Sequence, residues 1–313
     1  LSVTARDFAK SNDFTEVKKQ FVNYKGYKTL KATYTDSKKR NVEVMYVLQN
    51  MTYYIAAAYY NKQTPSINRF FESMEFGLPE YTKFYDLTDT TVFMTSKVPY
   101  EPKFDYTSLT RMQYKYYGKS KVDTSDVVKE SQVYFDKNNN EAISVEVFKN
   151  SRYYKMESEK EFVRLAKLYA SEFGDYTVKD EKLQKFNDGL QLDFYLTDTN
   201  SIKTIRCMVL LKNQTKYLVQ AYVDPILGES KFVTTFFDNF KPIDSLTGKN
   251  VFIDKGDLLF KDIYSTDTNQ VNAAISAIFD IKSEAKYISE YMKLAKNIPA
   301  QAKNPVAFKS MMY

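Results

Sequence analysis

The chain has 313 residues, of which 43% are apolar and 27% charged, and its net charge is +6; that balance fits two or three packed globular domains. It holds no histidine and one cysteine, which excludes Ser–His–Asp and Cys–His catalysis, histidine metal sites and an internal disulfide framework. The basic residues are mostly lysines interleaved with acids, against the clustered pattern of a nucleic-acid binder, and no run approaches the ~18 apolar residues of a membrane-crossing helix.

The chain repeats itself. Residues 26–59 are echoed by residues 189–222, and with Gly26 laid on Gly189, Met45 falls on Met208, Leu48 on Leu211, Asn50 on Asn213 and Tyr54 on Tyr217. Just upstream, Asp13, Phe14 and Thr15 match Asp175, Tyr176 and Thr177 one residue out of step with the glycines. Carried backwards, this register lays Leu1 on Val163, inside a helix of the second copy. The first copy is therefore expected to lack the counterpart of residues 92–162, and the natural protein to continue upstream with at least a helix turn and several strands.

Each copy is expected to close with an aromatic helix. In the first, Thr64 caps, Pro65 opens, and Ile67, Phe70, Phe71 and Met74 share one side. Residues 81–91 form a polar connector, followed by a strand over 91–97, the segment Val98-Pro99-Tyr100-Glu101-Pro102, and strands near 112–117, 132–135 and 142–148.

The helix of the second copy is signalled by the capping box Ser158/Glu161, by an apolar face of Phe162, Leu165, Ala166, Tyr169 and Phe173, and by Gly174. Strands follow at 190–197, 204–211 and 217–223; Ile205, Cys207, Val209 and Leu211 alternate with Arg206, Met208 and Leu210. The turns at Asn50 and Asn213 spell N-x-T, a glycosylation acceptor, but a hairpin's need for asparagine accounts for them equally well. Phe232, Val233, Phe236, Phe237 and Phe240 give the second closing helix.

From Asp244 the pattern changes. Strand-like 251–254 and 258–261 lead into helices over 265–282 and 283–296, an αα-hairpin read as the start of a helical array.

The order of elements in the second copy, with Lys97–Pro102 after the entering strand and Thr-Phe-Phe-Asp-Asn-Phe-Lys closing it, resembles the PsbP/Mog1-like fold, and Phe70-Phe71-x-x-Met74 echoes the closing motif. The resemblance implies αβα sandwiches around antiparallel sheets, so that with the helices read after Asp244 the expected fold is α+β, tandem αβα sandwiches followed by an α-helical hairpin region. It assigns residues 1–88 to an incomplete first module, 89–245 to a complete second and 246–313 to the helical repeat region. It also implies accessory or partner-binding roles, and carries over no functional residue.

Chemistry has little purchase in these residues. Cys207 alternates inside a strand and reads as a small buried hydrophobe. The eight glycines are scattered, so no phosphate cradle forms. Asp136, Asn138 and Asn140 open like a calcium loop, but Glu141 replaces the glycine and Val147 the bidentate glutamate. Asp36, Glu43, Asp193 and Asp198 are strand carboxylates without a distinguishing pattern.

The sequence thus points to a non-catalytic protein-binding or scaffold segment of a larger secreted or cell-envelope bacterial protein. That places it in the periplasm, at the outer membrane or outside the cell, with protein partners, no cofactor, no metal, no catalytic residues and no nucleic acid. The alternatives are an accessory region of an enzyme whose catalytic domain lies outside the chain, and a carbohydrate-binding face built from Tyr53, Tyr59, Tyr60, Tyr153 and Tyr154.

Overall fold

The computed structural model describes residues 1–102, 128–171, 175–186, 188–198, 203–243, 248–278 and 285–297. The expected strand near 112–117, the helix-ending Phe173 and Gly174, and the tail beyond 297 lie outside the described residues. The molecule is α+β with antiparallel sheets.

Helix α1 (Ser2–Ser11) is followed by strands β1 (Thr15–Tyr24), β2 (Tyr27–Thr35), β3 (Asn41–Gln49) and β4 (Thr52–Tyr60), then by helix α2 (Pro65–Glu72). The four strands form one sheet in chain order, each antiparallel to the next. Alternation sorts their side chains onto two faces. Leu30, Ala32, Tyr34, Val42, Val44 and Tyr46 cluster with Ala5 and Phe8 of α1, while Tyr27, Met45 and Val47 cluster with Ile67 and Phe71 of α2. Thr64 occupies the N-cap of α2 as expected, yet its side chain accepts no capping hydrogen bond.

Strands β5 (Tyr85–Asp89) and β6 (Met94–Val98) come next. β5 lies within the stretch expected to be a polar connector; Leu87 turns inward there among Val92, Met94 and Val98, and pairing with β6 makes it a strand. Strands β7 (Val128–Asp136) and β8 (Glu141–Lys149) form a hairpin, helix α3 (Glu159–Ala170) follows, and then come β9 (Tyr176–Phe186), β10 (Gly189–Asp198), β11 (Thr204–Lys212), β12 (Thr215–Val223) and helix α4 (Lys231–Asn239). The sheet order is β7-β8-β12-β11-β10-β9. Cys207, Val209 and Leu211 pack with Phe162 and Ala166 of α3; Met208, Leu210, Tyr217 and Val219 pack with Phe232, Phe236 and Phe237 of α4. The cap of α3 works as the sequence suggests, with the Glu161 N–H donating to Ser158 Oγ at 3.2 Å; Glu161 Oε2 in return accepts from the Glu157 N–H at 2.7 Å. The two-residue strand β13 (Lys241–Pro242) pairs with β6 after α4, so the small sheet β13-β6-β5 lies against that helix. Each phenylalanine buried there contributes about 1.5–3 kcal/mol.

The two four-strand series superpose with one correction. Across the first turn Tyr24 pairs with Tyr27, and across the second Phe186 pairs with Gly189. Gly189 therefore stands where Tyr27 does, not where Gly26 does. Beyond that, Gln49 pairs with Thr52 and Lys212 with Thr215, as the superposition of 26–59 on 189–222 has it. The second copy carries one more residue between Thr197 and Thr204 than the first carries between Thr35 and Asn41. This explains why the upstream strands ran one residue out of step: theirs is the register of the hairpin.

Residues 258–261, expected as a strand, belong to helix α5 (Gly256–Ile263), and 251–254 form turns rather than a strand. Leu259, Phe260 and Ile263 recur at helical spacing and face Tyr153, Ala274 and Tyr287, so burial on one helical face overrides the strand-like run. Helix α6 (Thr268–Ser276) is capped by Asp267, and helix α7 (Ile288–Lys296) follows a short 3-10 turn at Ala285–Tyr287. This part is stitched to the connector between β8 and α3. Arg152 pairs with Asp262 at 2.9 Å, Tyr153 donates to Asp262 at 2.9 Å, and Lys255 donates to the Tyr154 carbonyl at 2.8 Å.

Candidate functional site

The five tyrosines do not form one face. Tyr53 and Tyr59 lie exposed on β4 with Tyr60 beside them, but Tyr153 is fully buried beneath α5 and Tyr154 is packed against the core under α3. A five-tyrosine carbohydrate face is overturned, because Tyr153 fills the core that α5 and α6 need.

The strand carboxylates are likewise dispersed. Asp36 anchors the β2–β3 turn, accepting from the N–H groups of Lys38 and Arg40 and from the Arg40 guanidinium. Glu43 lies on β3 opposite Ala58. Asp193 is held by Gln191 at 2.7 Å. Asp198 lines an open cleft of about 700 Å³ at the ends of β10 and β12, together with Asp180, Tyr195, Lys203 and Glu229. Glu229 there is taken: Arg206, stacked on Phe237, pairs with one oxygen, and Tyr195 donates to the other. Burial, then the Glu229 carboxylate, pushes the Tyr195 hydroxyl up to about 12. Glu229 is thus engaged on both oxygens, and the tyrosine that faces it is held protonated.

Cys207 is buried, and burial pushes its thiol up to about 12 against the smaller opposing effect of the Gln220 amide. Asp136 is buried and accepts from the Asn138 N–H and the Asn139 amide, with the Tyr81 hydroxyl 3.0 Å away. Among the described residues no group of three or more His, Cys, Asp or Glu is placed to hold a metal, and no helix is long and apolar enough to cross a membrane.

The feature that does stand out is the outer edge of β4. Its counterpart β12 is flanked by β11 on one side and β8 on the other, whereas among the described residues β4 pairs only with β3. Tyr217 and Leu218 on β12 are 0% and 3% exposed; Tyr54 and Ile55, at the same places on β4, are 40% and 41% exposed. Met51, Tyr53 and Tyr59 add to the surface, and Phe70 of α2 is exposed where its counterpart Phe236 is buried. One end of the edge is supported from below, where Tyr54 meets Phe76 edge-on at 5.7 Å and Gln49 donates to the Gly77 carbonyl. Residues 52–60 match the central strand 215–223 in composition, so the sequence does not show that, among the described residues, only the latter has a second neighbour.

No protein-family model matches the chain, and no curated protein sequence matches it significantly.

Proposed function

We propose that this chain is a non-catalytic protein-binding or scaffold segment of a secreted or cell-envelope bacterial protein. In this reading residues 1–88 and 89–245 are two PsbP/Mog1-like αβα modules, and 246–313 open a helical region. The observation that carries the reading is the apolar edge of β4 around Tyr53, Tyr54, Ile55 and Tyr59, where the counterparts of Tyr54 and Ile55 in the second module, Tyr217 and Leu218, are buried. An aromatic patch of this kind marks an interaction surface more often than a solvated one. The engaged states of Glu229, Asp193 and Cys207 support a binding role over a catalytic one.

The test is site-specific photo-crosslinking in the native cell. A benzophenone side chain at position 59 is expected to give discrete protein adducts, and one at position 168, where Leu168 is 61% exposed on α3, is expected to give none. Equal labelling at both positions, or none at either, overturns the reading.

A further inference from the structure

Glu141 opens β8 and stands directly opposite Asp136, the last residue of β7, at the tip of their hairpin. Two acids facing each other across a ladder repel, and here each residue is only 5% exposed. Among the described residues neither carboxyl has a lysine or arginine partner. Lys137 beside Asp136 and Lys231 beside Ser230 are exposed and pair with neither. What faces the two carboxyls is neutral: Asn138 and Asn139 from the hairpin turn, Ser230 from the start of α4, Tyr100 from the segment after β6, and Tyr81. A buried pair of acids in such surroundings retains a proton.

Tyr81 belongs to residues 73–84, which pass from the first sheet to the second between α2 and β5. At the first-sheet end, Tyr24 and Lys25 donate to the Met74 carbonyl and Gln49 to that of Gly77. Beyond that point, among the described residues, 78–84 make no hydrogen bond except through the Tyr81 hydroxyl. That hydroxyl lies 2.5 Å from Glu141 Oε2 and 3.0 Å from Asp136 Oδ2, and its ring meets Phe84 and Phe232 at 6.0 Å. One phenolic hydrogen cannot serve two carboxylates; both contacts are hydrogen bonds only when one carboxyl brings a hydrogen of its own. Burial raises the Glu141 carboxyl, the bonds from Tyr81 and Ser230 oppose it, and the Asp136 charge adds to it.

We propose that Glu141 and Asp136 form a proton-operated latch on residues 78–84: with one proton between them they hold Tyr81 against the hairpin tip, and when that proton leaves for solvent the segment detaches. Docking buries both acids and so takes up a proton. By linkage the docked form is therefore favoured as pH falls, and it is lost as pH rises through the folded value of the raised carboxyl. Release loosens one tie between the two sheets and keeps the other, the bond from Tyr27 to Asp224. The latch is a property of the chain by itself and does not depend on the protein-binding reading above.

The test is a nitroxide spin label on the full chain at Thr82→Cys, an exposed position next to Tyr81, with Cys207 buried and out of reach. Its mobility is read by electron paramagnetic resonance from pH 4 to 9, while circular dichroism confirms the fold at each point. The slow component is expected to give way to a fast one as pH rises, with a midpoint above the ~4.3 of an ordinary glutamate. The slow-to-fast ratio should fall by no more than ~10-fold per pH unit, the limit for one proton. Glu141→Gln supplies the hydrogen of the neutral carboxyl permanently and should stay slow throughout. Asp136→Asn does the same from the other side and serves if the first variant does not fold. Tyr81→Phe keeps the ring against Phe232 and should lose the pH dependence. A label equally slow at both ends of the range overturns the latch, as does one that becomes slow only in alkali. A transition that survives both neutral variants, or that Tyr81→Phe leaves in place, overturns it as well.

Discussion

Tyr27 and Asp224, far apart in the chain, meet in a buried hydrogen bond: the phenol donates to Asp224 Oδ2 at 2.7 Å, and each residue is 1% exposed. Asp224 Oδ1 meanwhile accepts from the N–H groups of Ile226 and Leu227, closing the turn that carries Ile226 against Gly26. Gly26, at φ +90°, forms the β1–β2 turn beside it. The first sheet is thus joined to the second through a turn on each side and one hydroxyl–carboxylate bond. Burial, then the bond to Asp224, raises the Tyr27 hydroxyl above the ordinary tyrosine range.

Tyr27→Phe keeps the ring among Met45, Val47 and Phe71 and removes only the hydroxyl. A hydrogen bond to a charged group contributes about 1.5–3 kcal/mol, and here the loss falls on the joint. Urea unfolding is expected to shift to a lower midpoint, with the first sheet melting ahead of the second as separate phases in tyrosine fluorescence and far-UV circular dichroism. An unchanged midpoint would show that the bond does not couple the two sheets.

Tyr81 stands between two buried carboxyls, with its hydroxyl 2.5 Å from Glu141 Oε2 and 3.0 Å from Asp136 Oδ2. A phenol has one hydrogen to give, so the second contact is satisfied only when one carboxyl holds a proton. Burial raises the Glu141 carboxyl, with the Asp136 charge adding to it against the hydrogen bonds from Tyr81 and Ser230. A carboxyl raised on folding contributes stability that is full below its unfolded value and lost as pH climbs through the folded one. Glu141→Gln fixes the neutral form. Its melting temperature should match the parent in acid and exceed it increasingly from about pH 5 upward. A difference that stays flat with pH would exclude the shared proton.

Much of the sheet architecture was legible because period-2 alternation and turn residues are local. Ile205 to Leu211 announced β11, Asn213 its turn, and Ser158 with Glu161 the start of α3. Asn50 and Asn213 take φ of 50° and 53°, which explains why asparagine recurs in both turns. Residues 258–261 were misread because four apolar-rich residues fit either period; only Tyr153 and Tyr287, distant in sequence, decide for the helix. The tyrosine set failed for the same reason, since Tyr153 and Tyr59 look alike in sequence and differ in what is packed over them. The open edge of β4 is a relation between two copies, visible only once β8 is seen beside β12.

Gly189 is required by a close approach rather than by its turn. A Cβ there would sit 2.1 Å from the Leu211 carbonyl oxygen and 2.5 Å from the Phe186 ring. That carbonyl belongs to the β10–β11 pairing and cannot withdraw without breaking the ladder. Gly189→Ala is expected to cost about 1–3 kcal/mol in urea unfolding. Gly77→Ala, with nothing within 4 Å of the added carbon, is the matched control, expected within about 0.5 kcal/mol of the parent. Equal losses in the two variants would mean that the approach at Gly189 is not what constrains it.

Cys207 offers a direct reading of how the second sheet opens. It is the chain's only cysteine, its side chain is fully buried among Leu192, Phe194 and Phe162, and burial holds the thiol at about 12. A thiol labels through its thiolate and only when a reagent reaches it, so both conditions fail while β10, β11 and α3 stay together. Under native conditions labelling by a disulfide reagent at pH 8 is expected to be slow and, at high reagent, independent of its concentration, set by the opening rate. Urea below the unfolding midpoint should accelerate it along the unfolding limb. Gln220→Ala, which removes the 3.5 Å amide contact to the sulfur, should raise the rate only as far as it lowers stability. Rapid second-order labelling of the folded chain would instead expose Cys207 as a reachable nucleophile and overturn its reading as a buried hydrophobe.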